Sequence, residues 1–269
     1  MNADVVLTLG GKTPRELGMR VLRESQRPIA PSTVDNLVTV PYMHGAYDFG
    51  AYLAPRQLTL ECALVAKNSI ELQQLISALA RFLIGADGRP KTMPIIFRSQ
   101  PDRWYMARYS GDLQITRVVG LGTFTLPFTA YDPFAYSTYE SIDINVDNEN
   151  INVDSDISVD TAYTFDISGP DQLSVTNNGN QNVEPVIQIT GSFNSLSITL
   201  GDVTFTYNAP ISGTLVIDFK RKTAMLDNVN VLHNTNAKFG ELPTGVSNVD
   251  IAGTGLNISM SIIFRNKFI

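Results

Sequence analysis

Cysteine, tryptophan and histidine are almost missing from this chain: one, one and two among 269 residues. The lone thiol, Cys62, can close no internal disulfide, and no second cysteine exists to build a zinc site. It sits in the alternating stretch Leu58–Val65, where a free cysteine behaves as a small buried hydrophobe. Such a chain is compatible with assembly in a reducing compartment. The two histidines, His44 and His233, fall in predicted loops far apart in sequence, and Gly-x-Ser-x-Gly is absent. A Ser/His/Asp triad therefore lacks both its base and its nucleophile turn. Long apolar runs are lacking too: Leu75–Ile84 is at most a core helix, too short to span a bilayer. The stretch Met1–Leu7 has neither the basic cluster nor the apolar core of a secretory signal. Basic charge is scarce in the second half. Residues 136–269 carry 6 Lys+Arg against 15 Asp+Glu (−9), whereas residues 1–135 carry 14 against 11 (+3). An acidic half disfavours tight binding to duplex DNA, whose phosphates need a basic surface.

What the chain does have is a globular balance, 43% hydrophobic and 17% charged, and enough length for two domains. We place them at 1–136 and 137–269, where composition shifts toward Ser, Asp, Asn and Thr. In the first, Pro28, Pro31, Pro41 and Pro55 exclude early helices. A helix is predicted over about 69–84: Asn68 can cap it, with Glu71 as capping-box partner. Leu72, Leu75, Ile76, Leu79, Phe82 and Leu83 fall on one face, and Gly85 supplies a stop. Strands are expected at 58–66, 93–97, 104–110, 112–117 and 122–130, joined by short turns. One helix on an antiparallel sheet or barrel makes this domain α+β.

The second half shows no helical period. Segments 186–189, 196–200, 203–207, 213–218, 224–227 and 256–264 alternate apolar residues with Thr, Ser and Asn. Asn178-Gly179, Gly191 and Gly201 read as turns, and an all-β sandwich is the expected solution. Arg265 and Lys267 read as charges guarding the terminal hydrophobes Ile262, Ile263 and Phe264.

Several stretches invite chemistry and fail on inspection. Gly10-Gly11-Lys12-Thr13 ends like a phosphate-binding loop, but Val6 stands where its first glycine belongs and Pro14 follows at once; a hairpin turn is the better reading. Asp143, Asp147, Asp154, Asp156 and Asp160 suggest calcium, yet the loop glycine and flanking helices of an EF-hand are missing. Carboxylates are numerous enough for a glycosidase pair, which only spatial separation would define. No catalytic, cofactor or metal residue is assigned. The densest aromatic cluster lies in residues 41–52. Tyr42, Met43, Tyr47, Phe49 and Tyr52 are candidates for a subunit interface, because Met and Tyr are interface-enriched and little basic charge lies nearby.

The most informative stretch is Phe124–Tyr136. Alternating Phe124, Leu126, Phe128 and Ala130 form a half-buried strand, which Asp132-Pro133 ends. This closure, Asp132-Pro133-Phe134, resembles that of the N-terminal domain in siphophage distal tail proteins. Further motifs point the same way. Arg56-Gln-Leu-Thr-Leu-Glu-Cys-Ala-Leu64 after Gly50 resembles the family's entry strand. Phe97 followed by Pro101-Asp102-Arg103-Trp104-Tyr105-Met106-Ala107 is similar to another of its segments, with Ser99 or Gln100 replacing the usual first Asp. Val175-Thr-Asn-Asn-Gly-Asn180, Pro185-Val-Ile-Gln-Ile-Thr-Gly191, Phe239–Asn248 and Phe264-Arg265 resemble its second domain.

The resemblance implies a non-enzymatic structural protein of the virion tail tip, assembled in the host cytoplasm. It implies a hexameric hub ring of N-terminal domains, a galectin-like C-terminal sandwich and no cofactor. Partners would be further copies of the chain, the tail-tube protein, and a tail-associated lysin, fibre or receptor-binding protein. No membrane is involved, and DNA only passes through the lumen. Two other classes predict different behaviour: a carbohydrate-binding or adhesin module using Trp104 and the Tyr42–Tyr52 cluster, and a β-sandwich glycoside hydrolase.

Overall fold

The computed structural model describes residues 7–22, 25, 27–143 and 163–269. Two compact units emerge, 1–135 with Ile269, and 136–268.

The first unit contains β1 (Leu7–Leu9), β2 (Met19–Val21), β3 (Thr33–Val38), β4 (Tyr47–Leu53), β5 (Arg56–Val65), α1 (Ser69–Leu83), β6 (Thr92–Phe97), β7 (Gln100–Tyr109), β8 (Ile115–Val118) and β9 (Leu121–Ala130). Its main sheet runs β1-β6-β7-β9-β5-β2, all antiparallel. The end strands β1 and β2 are far apart in this order, yet Leu7 and Val21 line the same small cleft, so the sheet is curled. Its inner face carries Leu9, Met19, Leu58, Leu60, Cys62, Leu64, Ile95, Tyr105, Leu126 and Phe128, every one buried.

Helix α1 starts as its sequence predicts. Asn68 Oδ1 accepts the Glu71 N–H at 2.9 Å. Glu71 reaches back to the N–H of Lys67 rather than to that of Asn68, so the box is shifted by one residue. Leu72, Leu79 and Leu83 are buried beneath it. The stop differs from expectation. Ile84 is already extended, and Gly85 N–H donates to Arg89 carbonyl in a turn rather than forming a left-handed cap. Gly10-Gly11 forms the expected two-residue turn, with Leu9 and Lys12 exchanging both backbone hydrogen bonds. No α-helix follows it, which removes the phosphate-loop reading.

The second unit contains β10 (Ala135–Ser137), β11 (Thr164–Ile167), β12 (Asp171–Asn177), β13 (Val186–Phe193), β14 (Ser195–Leu200), β15 (Val203–Tyr207), β16 (Ile211–Asp218), β17 (Thr223–Leu226), β18 (Val229–Asn230), β19 (Gly245–Thr254), β20 (Asn257–Ile263) and β21 (Lys267–Phe268). Two sheets, β11-β20-β13-β16-β17-β18 and β12-β19-β14-β15, share one core. Ile187, Ile189, Leu215, Ile217, Met260 and Ile262 come from the first, and Val175, Ile198, Phe205 and Val249 from the second. Phe205, Phe219 and Phe239 form a three-ring cluster with centroids 5.5–5.8 Å apart, so the partly buried Phe239 of the Phe239–Asn248 motif packs against the core. The outer faces carry hydroxyl pairs such as Thr199–Thr204 and Ser195–Thr254, the polar half of the alternation.

Three expectations are corrected here. Gly191 is not a turn. It sits inside β13, where a Cβ would run into the backbone of Asn257 on the paired strand. Arg265 is not a solvated guard: it donates to the Ser137 carbonyl and pairs with Glu140 at 3.0 Å. The ten-residue strand β19 was not expected as a strand, because Gly245, Asn248, Asp250 and Gly253 interrupt its apolar alternation. Of the aspartates once read for calcium, Asp143 closes a short 3-10 turn, and Asp147, Asp154, Asp156 and Asp160 lie outside the described residues. Among the described residues no group of three or more His, Cys, Asp or Glu is arranged to hold a metal ion.

Candidate assembly surface

The aromatic cluster of residues 41–52 lies in a β-hairpin whose strand β3 pairs, among the described residues, only with β4. Every residue of the two strands except Leu53 is exposed. The register is Thr33↔Leu53, Val34↔Tyr52 and Asp35↔Ala51, then Leu37↔Asp48 and Val38↔Tyr47. Between these blocks Asn36 opposes two residues, Phe49 and Gly50, which makes a bulge. Gly50 takes a φ of 91°, which only glycine adopts without strain, and its N–H donates to Asp48 Oδ1 at 2.8 Å.

The bulge decides what the hairpin presents. In a regular strand Tyr47 and Phe49 would point to one face and Tyr52 to the other. The extra residue resets the alternation, so Tyr47, Phe49 and Tyr52 share one face with Val34 and Val38. Asp35, Leu37, Asp48 and Ala51 occupy the opposite face. Among the described residues of its own unit nothing covers the aromatic face; Phe49 alone is 69% exposed. Tyr42 and Met43 lie in the hairpin's turn segment, both exposed. Tyr42 is held at φ 65°, unusual for a bulky side chain. The structure thus brings Tyr47, Phe49 and Tyr52 together, with Tyr42 and Met43 at the tip. Exposed apolar patches of this kind mark interaction sites.

One buried cation anchors the base of the hairpin. Arg56 follows β4 by three residues and is almost fully buried, with no carboxylate partner. Its Nε donates to the Pro133 carbonyl at 3.0 Å and its Nη1 to the Pro28 carbonyl at 2.9 Å, while its guanidinium stacks 5.2 Å from the Tyr105 ring centre. Burial pulls its pKa below the usual arginine range. Arg56 thereby links the chain entering the hairpin to the Asp132-Pro133 closure, where Asp132 Oδ1 also accepts the Phe134 N–H. Nothing in the sequence marked Arg56 as buried; its position at the head of an alternating strand is the only signal. The other residues named for chemistry do not converge. His44 sits in the hairpin turn and His233 in a 3-10 turn of the second unit. Trp104 is half-buried in β7. Cys62 is buried, and that burial pushes its thiol up to about 12.

With this geometry in view, the class of protein follows. Residues 14–130 match the family model of the phage tail protein RIFT-related domain, so the first unit carries that domain and the resemblance read from the motifs is borne out. The matched domain is a phage tail domain, and the match covers residues 14–130 of the 269. No curated protein matches the chain. Among solved structures, the Dit protein (gp 19.1) of phage SPP1 is described as a paradigm of the hub adsorption apparatus in phages infecting Gram-positive bacteria. It aligns over 98% of this chain and 99% of its own, with a TM-score of 0.72 and 19% identity. At that identity the likeness shows the fold, and it extends through both units. Two structures of the phage p2 baseplate in its activated conformation, with Ca and with Sr, align over 91% and 94% of this chain and 90% and 92% of theirs. Their identities are 9% and 8%, with a TM-score of 0.42 in each case. The described residues are mostly β with one α-helix, in agreement with the fold class expected from sequence at that level.

Proposed function

We propose that this chain is a hub protein of a long non-contractile phage tail tip, built as a closed ring of six copies that joins the tail tube to the tip, fibre or receptor-binding proteins. The observation that carries the reading is the uncovered aromatic face of the β3–β4 hairpin on a phage tail domain. A two-stranded hairpin is marginal on its own in water, and this one exposes Tyr47, Phe49 and Tyr52 together. A second copy is the partner that a homo-oligomer supplies in every ring position. On this reading the 1–136 domain forms the ring and the 137–269 domain is a galectin-like sandwich projecting from it. Tail-tube protein contacts one side of the ring, and a tail-associated lysin or fibre protein the other. DNA crosses the lumen without being held.

The test is light scattering behind a sizing column, with imaging of the peak. A mass near six times 29.5 kDa with ring particles supports the reading. Phe49→Asp should then leave a folded monomer that no longer assembles. Rings that form normally from this variant would remove the hairpin from the interface.

A further inference from the structure

The turn that follows β12 in the second unit contains the chain's single Asn-Gly pair, Asn178-Gly179. We propose that Asn178 is a deamidation site, and that the side chain of Asn177 guards it by holding the backbone nitrogen that would attack.

In an Asn-Gly pair the glycine nitrogen, once its proton is lost to solvent base, attacks the asparagine side-chain carbon Cγ. An N–Cγ bond forms, the Cγ–Nδ2 bond breaks, and ammonia leaves behind a five-membered imide ring. Water then opens the ring on either side. The product is aspartate, or isoaspartate with an extra carbon in the main chain. Glycine favours ring closure because no Cβ crowds its nitrogen or restricts its backbone.

One half of the pair is open to this reaction. Asn178 is exposed, and although its backbone N–H donates to Asn266 Oδ1 at 3.0 Å, its side-chain amide lies at the surface. The other half is held. The Gly179 N–H donates to Asn177 Oδ1 at 2.9 Å. Asn177 is itself buried, and its Nδ2 donates to the carbonyls of Gln181 at 2.9 Å and Leu242 at 3.4 Å. The accepting oxygen therefore cannot swing away without breaking both bonds. Beside Gly179 runs the C-terminal strand. The Lys267 carbonyl accepts the N–H groups of Asn180 and Gln181 at 3.1 and 3.2 Å, and a Cβ on Gly179 would collide with the same Lys267 backbone.

Packing thus requires glycine at 179, although glycine is what makes Asn178 reactive. The guard resolves this conflict. A nitrogen donating to a buried oxygen keeps its proton from solvent base, and the clamped turn cannot rotate it toward Cγ. Reaction then runs only through local opening of the turn. Isoaspartate at 178 would lengthen the main chain next to the Gln181–Lys267 bridge, so the guard also preserves the seat of β21.

Peptide mapping by mass spectrometry tests this on the full chain at mildly alkaline pH, scoring conversion of Asn178 to the acid and its iso form. The folded native chain should convert slower by roughly tenfold or more than the chain held unfolded in guanidinium chloride, and its Gly179 N–H should be protected from exchange. Asn177→Ala removes the acceptor and should raise the folded rate by roughly tenfold. Asn177→Ser, whose hydroxyl can accept from the N–H two residues on, should restore part of the protection. Circular dichroism first establishes that each variant is folded; if Asn177→Ala is not, the native comparison and Gly179 exchange decide. Equal conversion in the folded and unfolded native chain, an unprotected Gly179 N–H, or a folded Asn177→Ala that converts no faster than native would overturn the guard. An unfolded chain in which Asn178 does not convert would overturn the site itself.

Discussion

Replacing Arg56 tests whether one buried cation holds the base of the β3–β4 hairpin. Arg56→Met keeps much of the volume and the apolar stem while removing the donors. Two well-formed hydrogen bonds from a charged group disappear, at 3.0 Å to Pro133 and 2.9 Å to Pro28, together with the weaker contact at 3.5 Å to Ile29. Hydrogen bonds from charged donors are worth about 1.5–3 kcal/mol each, and the stacking on Tyr105 adds about 1 kcal/mol where desolvated. Against this stands the relief of no longer burying a guanidinium without a carboxylate, which offsets part of the loss. So does removal of Arg56 Nη2, which is buried with no hydrogen-bond partner, while the part-buried Pro28 and Pro133 carbonyls lose their donors. The expected net loss is about 2–4 kcal/mol. Arg56→Lys keeps the charge but not the fork that reaches both carbonyls, so it should recover only part of the loss. Trp104, the only tryptophan, lies in the first unit and reports that unit's unfolding in urea. With a slope of about 2 kcal/mol/M, the midpoint should fall by roughly 1–2 M. Amide exchange gives a local readout. The Ala54 N–H, bonded to the Ser32 carbonyl at 2.8 Å across the hairpin base, should lose protection in Arg56→Met. A midpoint within about 0.3 M of the native chain, with Ala54 protection unchanged, would refute the reasoning.

Gly120→Ala should destabilise the first unit by about 2 kcal/mol or more, since its Cβ meets backbone rather than a movable side chain; Val119→Gly should be neutral or stabilising by about 1 kcal/mol through relief of the left-handed strain, and urea midpoints of the pair check the contrast. Asn68→Ala removes the cap on Glu71 N–H and should cost about 1 kcal/mol, read in the same assay. Cys62 should resist thiol reagents at pH 8 until the chain unfolds. Burial first, and Glu61 second, raise its thiol to about 12, so the folded state keeps a proton that the unfolded state releases. The stabilising contribution is complete below about pH 9 and is lost as pH rises toward about 12. Rapid labelling of the folded chain at pH 8 would contradict the burial.

Much of the fold was legible because period and burial coincide. The 3.6 period of Leu72, Leu79 and Leu83 and the two-residue period of Leu58, Leu60 and Cys62 are the buried positions themselves. Legibility failed where tertiary contacts replaced pattern. The hairpin was not expected as strands because both faces are solvent-exposed and no polar alternation marks them. Gly50 could be seen, but its meaning as a bulge required the register with Asn36. Gly191 read as a turn because glycine in a strand leaves no local trace of the backbone that presses against it. Arg56 read as an ordinary strand-leading cation, since its acceptors are more than 25 residues away in either direction.

The first unit breaks local rules on an exposed surface. A monomer selected only for solubility would not gather Tyr47, Phe49 and Tyr52 on one uncovered face by means of a bulge, nor hold Tyr42 and Val119 outward at φ 65° and 53°. In the second unit the same alternation ends in paired hydroxyls, Thr190 with Thr214 and Thr164 with Ser261, which satisfy one another across strands. Conflicts between local preference and observed structure accumulate at functional positions, because elsewhere nothing opposes their removal. Positive φ at non-glycine residues occurs in both units, at Tyr42 and Val119 in the first and at Lys222, Asp227, Asn228 and Ala237 in the second, so it is the uncovered aromatic face that distinguishes the first. On the ring reading proposed above, that face gives self-assembly to the first unit and leaves the second, with its hydroxyl-lined faces, free for other contacts.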